Sequence, residues 1–185
     1  MAQHFGDQID ITWKSFLLRP EHKDRPRAEF VTYSQGWQRM AQLEPRATFT
    51  PWADGTLSEP PSSSMPAHVA AKIVEAHWPS QAQPLHWALL EAYFSYNRTI
   101  SDWDVLADIV AEVGIARSDF VAMLAEQRQQ MAGIVIDDHN GAIRQGITAV
   151  PTVLVNNALP IAGAQESDAY IAWISRIIER LGSDS

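Results

Sequence analysis

The stretch that decides the fold is GITAVPTVLVNNALPIAGAQ, Gly146 to Gln165. Gly146 stops whatever helix precedes it. VPTVLV is β-branched and almost wholly apolar, the composition of a strand covered on both faces. Asn156-Asn157 tolerates the left-handed backbone that a two-residue hairpin turn needs. ALPIAG then reads as the return strand, and Ser167 caps a last helix with the apolar stripe Tyr170, Ile174, Ile177, Ile178 and Leu181.

Outward from the hairpin the chain is helical back to Pro66. Pro66 suits a first helical turn, with Val69, Ile73 and His77 on one face. A second helix is expected over about Gln83–Tyr96. It is apolar on more than one side (Leu85, Leu89, Leu90, Tyr93, Phe94) and so is expected to be largely buried. Ser101 reads as an N-cap with Asp104 three residues on; Leu106, Ile109, Val110 and Val113 form the inner stripe, and Gly114 ends the element. Ser118 starts another helix, and a further one runs from about Gln129 to Gln145.

The N-terminal part has a different grammar. Ile9, Ile11 and Trp13 alternate with Asp10, Thr12 and Lys14, which predicts a strand with one buried face. EPRATFTPWADGTLSEPPSSSMP, Glu44–Pro66, holds five prolines and reads as a long loop. Phe49 and Trp52 in it either cover a cleft or pin the loop to the core.

Bulk properties narrow the function. The 185 residues are 46% hydrophobic and 19% charged, a globular composition with room for a real core. A net charge of −8 argues against a nucleic-acid partner. The basic residues Arg19, Lys23, Arg25 and Arg27 are interleaved with Glu21, Asp24 and Glu29, and read as a solvated loop. No apolar run reaches transmembrane length, and MAQHFGDQID has no basic start followed by an apolar core, so the expected compartment is the cytoplasm. The chain contains no cysteine, which excludes disulfides, thiolate metal sites and thiol catalysis by its own residues. No His-Glu-x-x-His, Gly-x-Ser-x-Gly or phosphate-loop pattern occurs. His68, His77, His86 and the Asp137-Asp138-His139 run are read as solvated or capping groups, Ser62–Ser64 as loop, and Tyr93, Phe94 and Tyr96 as core.

Four segments carry a resemblance to the DsbA-like thioredoxin-fold family, in its FrnE-like thiol–disulfide oxidoreductase branch. GITAVPTVLVNN with IAGAQ resembles the family's Val-Pro strand, hairpin and Gly-Ala-Gln ending. ISDWDVLADIVAEVGI resembles its Ile-Ser-Asp helix. WKSFLLRPE resembles its strand-to-loop segment, and SMPAHVAAKI the start of its helical insertion. The resemblance implies an α/β, thioredoxin-like fold with an inserted all-helical subdomain, a single domain over 1–185. Residues 1–62 and 146–185 form the thioredoxin part, and 63–145 the insertion. It also implies a cis Val150–Pro151 bond, with Val150, Pro151 and Thr152 positioning a thiol or disulfide peptide, or a small thiol such as glutathione. In the family these residues face a Cys-x-x-Cys at a helix N-terminus, where the helix dipole lowers the thiol pKa.

MAQHFGDQID resembles only the last turn of that helix running into the second strand. The usual first strand and first helix, on the order of 20 to 35 residues, are therefore expected to be missing, redox motif included. The expected consequences are a chain inactive by itself, with no cofactor and no metal, and either unstable or self-associating through the unfilled gap. Two further readings are a glutathione-dependent 2-hydroxychromene-2-carboxylate isomerase-like enzyme and a non-catalytic thioredoxin-fold binding module. Ser63-Ser64 and Ala67-His68-Val69 disfavour the first of these, since that branch favours an Asn-Thr pair before an Ala-His-Arg segment.

Overall fold

The computed structural model describes residues 2–45, 47–156 and 159–183. The elements in chain order are α1 (Ala2–Phe5) with a 3₁₀ turn (Gly6–Gln8), α2 (Arg27–Ser34), α3 (Trp37–Leu43), α4 (Met65–His77), α5 (Pro79–Phe94), α6 (Trp103–Glu112), α7 (Arg117–Arg144), β1 (Thr152–Val155), β2 (Leu159–Ala162) and α8 (Ser167–Ser183). They fall into two compact units. One comprises Met1–Phe16 and His139–Ser185, the other Leu17–Asp138.

In the first unit β1 and β2 pair antiparallel, Thr152 opposite Ala162 and Val155 opposite Leu159. Asn156 takes the left-handed conformation at φ +50° that the turn demands. Asn157, the second expected turn residue, lies outside the described residues. Gly146, at φ +75°, ends α7 as expected: its own amide donates to Ile143 and the next amide reaches back to the Ala142 carbonyl at 3.0 Å. On α8, Tyr170 and Ile174 are buried and Ile177 and Ile178 half-buried; the Leu181 side chain lies outside the described residues. The Tyr170 hydroxyl donates to the Gly163 carbonyl at 3.1 Å, tying α8 to the end of β2.

One N-terminal expectation is corrected. Ile9–Lys14 carries no strand ladder, although Ile9 is extended at φ −133°, ψ 146°. Ile11 is 42% and Trp13 54% exposed. Alternation specifies which face of a strand is apolar; it supplies no neighbour to pair with, and the sheet among the described residues consists of β1 and β2.

The second unit holds the main core. Val69, Ile73 and Val74 of α4, Leu85 of α5, Leu106, Ile109 and Val110 of α6, and Phe120 and Val135 of α7 are within 1% of complete burial and form one cluster. Asp102, not Ser101, caps α6: its carboxylate accepts the Asp104 and Val105 amides at 2.8 and 3.2 Å. Ser101 instead accepts the Ser62 amide at 3.1 Å. The two helices expected between Ser118 and Gln145 are one helix of 28 residues, because nothing in that stretch breaks the backbone ladder strongly enough. The second helix starts at Pro79 and is one-sided: Leu85 and Ala92 are buried, whereas Trp87 and Leu90 are 62% and 49% exposed.

A second, aromatic cluster surrounds Trp52. Trp52 is fully buried, its ring 5.2 Å from Phe30 and its backbone amide held by the Ser34 hydroxyl at 2.9 Å. Phe30 and Trp37 are buried with it, and Phe49, Tyr93 and Phe94 pack around them. Trp52 therefore pins the long loop. Tyr93 and Phe94 are core as read; Tyr96 is 67% exposed and is not. The helices α2 and α3, which supply Phe30 and Trp37, lie in a stretch too polar to announce them.

Candidate functional site at the Val150–Pro151–Thr152 step

Gly146 frees the chain from α7, and β1 takes it up again at Thr152. Val150, Pro151 and Thr152 are thus held between a helix stop and a strand start. The Val150–Pro151 peptide bond is cis. Val150 is 44% exposed, Pro151 is exposed and Thr152 half-buried. The step is anchored from both sides: the Gly163 amide donates to the Pro151 carbonyl at 2.9 Å, and the Thr152 hydroxyl donates to the Ala149 carbonyl at 2.8 Å. The three residues are adjacent, accessible and backbone-fixed. They carry no acid, base or nucleophile stronger than a hydroxyl, so the step itself supplies no catalytic group.

Other polar clusters lie in the Leu17–Asp138 unit. The Lys72 ammonium sits 2.9 Å from Glu75 and 3.2 Å from Asp138, and Glu75 also meets the His86 ring at 3.2 Å. Burial alone would push the Glu75 carboxyl up, but the hydrogen bonds from His86 and Lys72 outweigh it and hold the carboxyl below its ordinary range. Burial alone would likewise lower Lys72, and its two carboxylate partners raise it instead. This is an ion network joining α4, α5 and α7. No group of three or more metal-ligating side chains converges among the described residues. His77 meets the Gln127 amide oxygen at 2.8 Å.

The basic residues of the N-terminal loop are not the solvated set that their spacing suggests. Arg27 donates to the carbonyls of Thr56 and Ser58 and pairs with Glu59 at 2.8 Å, clamping the proline-rich loop. The Arg25 guanidinium lies 4.0 Å above the Phe30 ring. The signal missed is an arginine beside aromatics that a fold can bring under it.

No helix of the described residues is long and apolar enough to cross a membrane. A family model for the DSBA-like thioredoxin domain matches residues 1–172. No curated protein sequence matches the chain. Among solved structures, a candidate protein disulfide isomerase from Nitrosomonas europaea is similar with a TM-score of 0.73 and 14% identity, over 88% of this chain and 79% of that one. The cytosolic disulfide reductase DsbM from Pseudomonas aeruginosa is similar with a TM-score of 0.61 and 19% identity, over 86% of this chain and 78% of its own. The same reductase solved with GSH gives a TM-score of 0.57 at 19% identity, over 80% of this chain and 72% of its own. At such identities the likeness is one of fold: a thioredoxin-like α/β fold, in which the described residues of this chain are mostly helical and form one two-stranded sheet. The match over residues 1–172 places this chain in the DSBA-like thioredoxin domain family.

Proposed function

We propose that the Val150–Pro151–Thr152 step is the substrate-positioning wall of a thiol–disulfide exchange site of the FrnE-like kind, working in the cytoplasm. The observation that carries this reading is the accessible, doubly anchored Val-Pro-Thr step at the mouth of β1 in a chain of this family. A cytosolic reductase among the structural neighbours supports the compartment, and its form with GSH supports a small thiol as one substrate. The chain has no sulfur nucleophile of its own. The attacking thiolate comes from outside residues 1–185, from a Cys-x-x-Cys segment joined ahead of them or from a free thiol. In the exchange that thiolate bonds to one sulfur of the substrate disulfide and the second sulfur leaves as thiolate. This chain's part is to hold the substrate strand beside Pro151 while that happens.

The test has two arms on residues 1–185. In a turbidity assay of insulin reduction by dithiothreitol, the chain is expected to add nothing to the rate. In amide NMR spectra, oxidised glutathione or an extended disulfide peptide is expected to shift the signals of Ile147, Thr148, Thr152 and Val153. Pro151→Ala is expected to abolish those shifts. Absent shifts would refute the positioning role, and accelerated reduction would refute the inactivity of this chain.

A further inference from the structure

A second site of different chemistry lies wholly within the Leu17–Asp138 unit and stands independently of the thiol reading. A cavity of about 210 Å³ opens between the segment Arg19–Pro26 and the first turns of α2. Arg19, Lys23 and Arg25 line it, with Phe30 and Tyr33 as its apolar wall. In an acidic chain this is a local excess of positive charge.

What distinguishes this set among the described residues is a buried guanidinium nitrogen with no acceptor beside two further unpaired cations on one cavity wall. Arg27, Lys72, Arg98 and Arg117 each pair with a carboxylate, at 2.6 to 2.9 Å. Arg19, Lys23 and Arg25 make no ion pair with any described residue. Two carboxylates also line the cavity, Asp24 and Glu29, and neither comes within ion-pair distance of the three. Asp24 is instead turned to solvent, 97% exposed and 3.5 Å from the His22 ring. Arg19 Nη1 is cut off from solvent and has no hydrogen-bond acceptor among the described residues. Arg25 is fixed by its stacking on Phe30 and, at 5.0 Å, on Tyr33. The pKa of the neighbouring Tyr93, whose hydroxyl interacts with Arg25, is raised further by burial, and the group brings no negative charge to Arg25.

A buried guanidinium donor without an acceptor is costly, and a guanidinium fork matches the two oxygens of a carboxylate or phosphate. The volume falls below the roughly 300–1,000 Å³ of clefts that hold drug-sized ligands. We propose that the cavity bordered by Arg19, Lys23 and Arg25 is a binding site for a small oxyanion, a phosphate or carboxylate, free or as the terminal group of a larger molecule. Arg19 and Arg25 grip the oxygens, Lys23 adds charge at the mouth, and Phe30 and Tyr33 hold Arg25 in place.

Isothermal titration of the full chain with inorganic phosphate, and separately with succinate, tests this. One or both are expected to bind with a dissociation constant of about 1 mM or tighter, weakening as ionic strength rises. Response to phosphate alone identifies a phosphate site, and response to succinate alone a carboxylate site. Lys23→Gln and Arg25→Gln are each expected to weaken binding about tenfold. Lys23 is exposed, so Lys23→Gln keeps the wild-type circular dichroism and melting temperature, and Lys23→Arg restores binding. Failure of both anions to bind at ~20 mM, or wild-type binding by both glutamine variants, would overturn the site.

Discussion

Trp52 shows how one side chain organises a segment that has no regular structure. The loop between α3 and α4 cannot form a ladder because its prolines lack donors. It is held by what it buries and by a few side-chain bonds, Trp52 against Phe30, Ser34 on the Trp52 amide, and Arg27 on the carbonyls of Thr56 and Ser58. Trp52→Ala would empty the centre of the aromatic cluster. The expected cost is about 3–5 kcal/mol, seen as a lower urea midpoint at unchanged slope. A loss under about 1 kcal/mol would mean that the cluster does not bear on stability. Glu75 gives a second residue-scale test. Its carboxyl titrates below its ordinary 4.5 in the folded chain, so the folded state binds fewer protons than the unfolded one. The resulting stabilisation is present above that ordinary value and lost as pH falls through the lower, folded one. Lys72 is the reverse, its contribution full below 10.5 and lost as pH rises through its higher folded value. Glu75→Gln is therefore expected to lower stability at pH 7 and to flatten the acid limb of stability against pH. Parallel acid limbs for the two proteins would refute the assignment.

At the scale of elements, α7 is the clearest departure from a reading by periodicity. Its buried positions, Phe120, Met131 and Val135, are widely spaced, and its other residues are polar enough to suggest two short helices. It stays whole because the stretch contains no proline and a lone glycine such as Gly133 costs too little to break it. A Cβ added at Gly133 would meet no atom within 4 Å. Gly133→Ala is expected to stabilise the chain by about 0.5–1 kcal/mol, by removing the backbone entropy that glycine loses on folding. A thermal melt that fails to rise would indicate that the helix breaks there in solution. The Asp102 cap shows the opposite limit of sequence reading. Ser101-Asp102 offers two capping side chains in a row, and only backbone geometry selects between them; Asp102 has the extended conformation, ψ 129°, that an N-cap requires.

At the scale of the whole molecule, burial is distributed unevenly. The Leu17–Asp138 unit contains both hydrophobic clusters, and α4 and α6 hold residues with no exposed surface at all. In the other unit no residue of β1 or β2 is fully buried, and among the described residues the sheet has two strands. A two-stranded hairpin is marginal without cover. Native-state hydrogen exchange is therefore expected to run in two tiers. Hydrogen-bonded amides of β1 and β2 should exchange about 100-fold or more faster than those of Val69–Val74 and Leu106–Val110. Equal protection in both sets would show that the hairpin is buried by something the monomer does not supply, and sedimentation at rising concentration would then test self-association.

The hairpin was legible because it rests on local chemistry, and the family because four segments resemble its motifs. Val-Pro-Thr, an Asn turn and a β-branched run dictate backbone conformation within a few residues, and the apolar stripes of α6 and α8 do the same for helices. The Val150–Pro151–Thr152 step rests instead on the resemblance to the family, and its positioning role is the proposal made above. The aromatic cluster, the fate of Ile9–Lys14 and the surroundings of Arg19 and Arg25 were not legible, because each depends on partners distant in the chain. A strand needs a neighbour, a tryptophan needs a cavity, and a cation is either paired or left unpaired by what the fold brings beside it. The sequence by itself determined which segments turn, pair or coil; only the tertiary structure decided which side chains find partners, since contact energies between distant residues exist only once the chain has closed on itself.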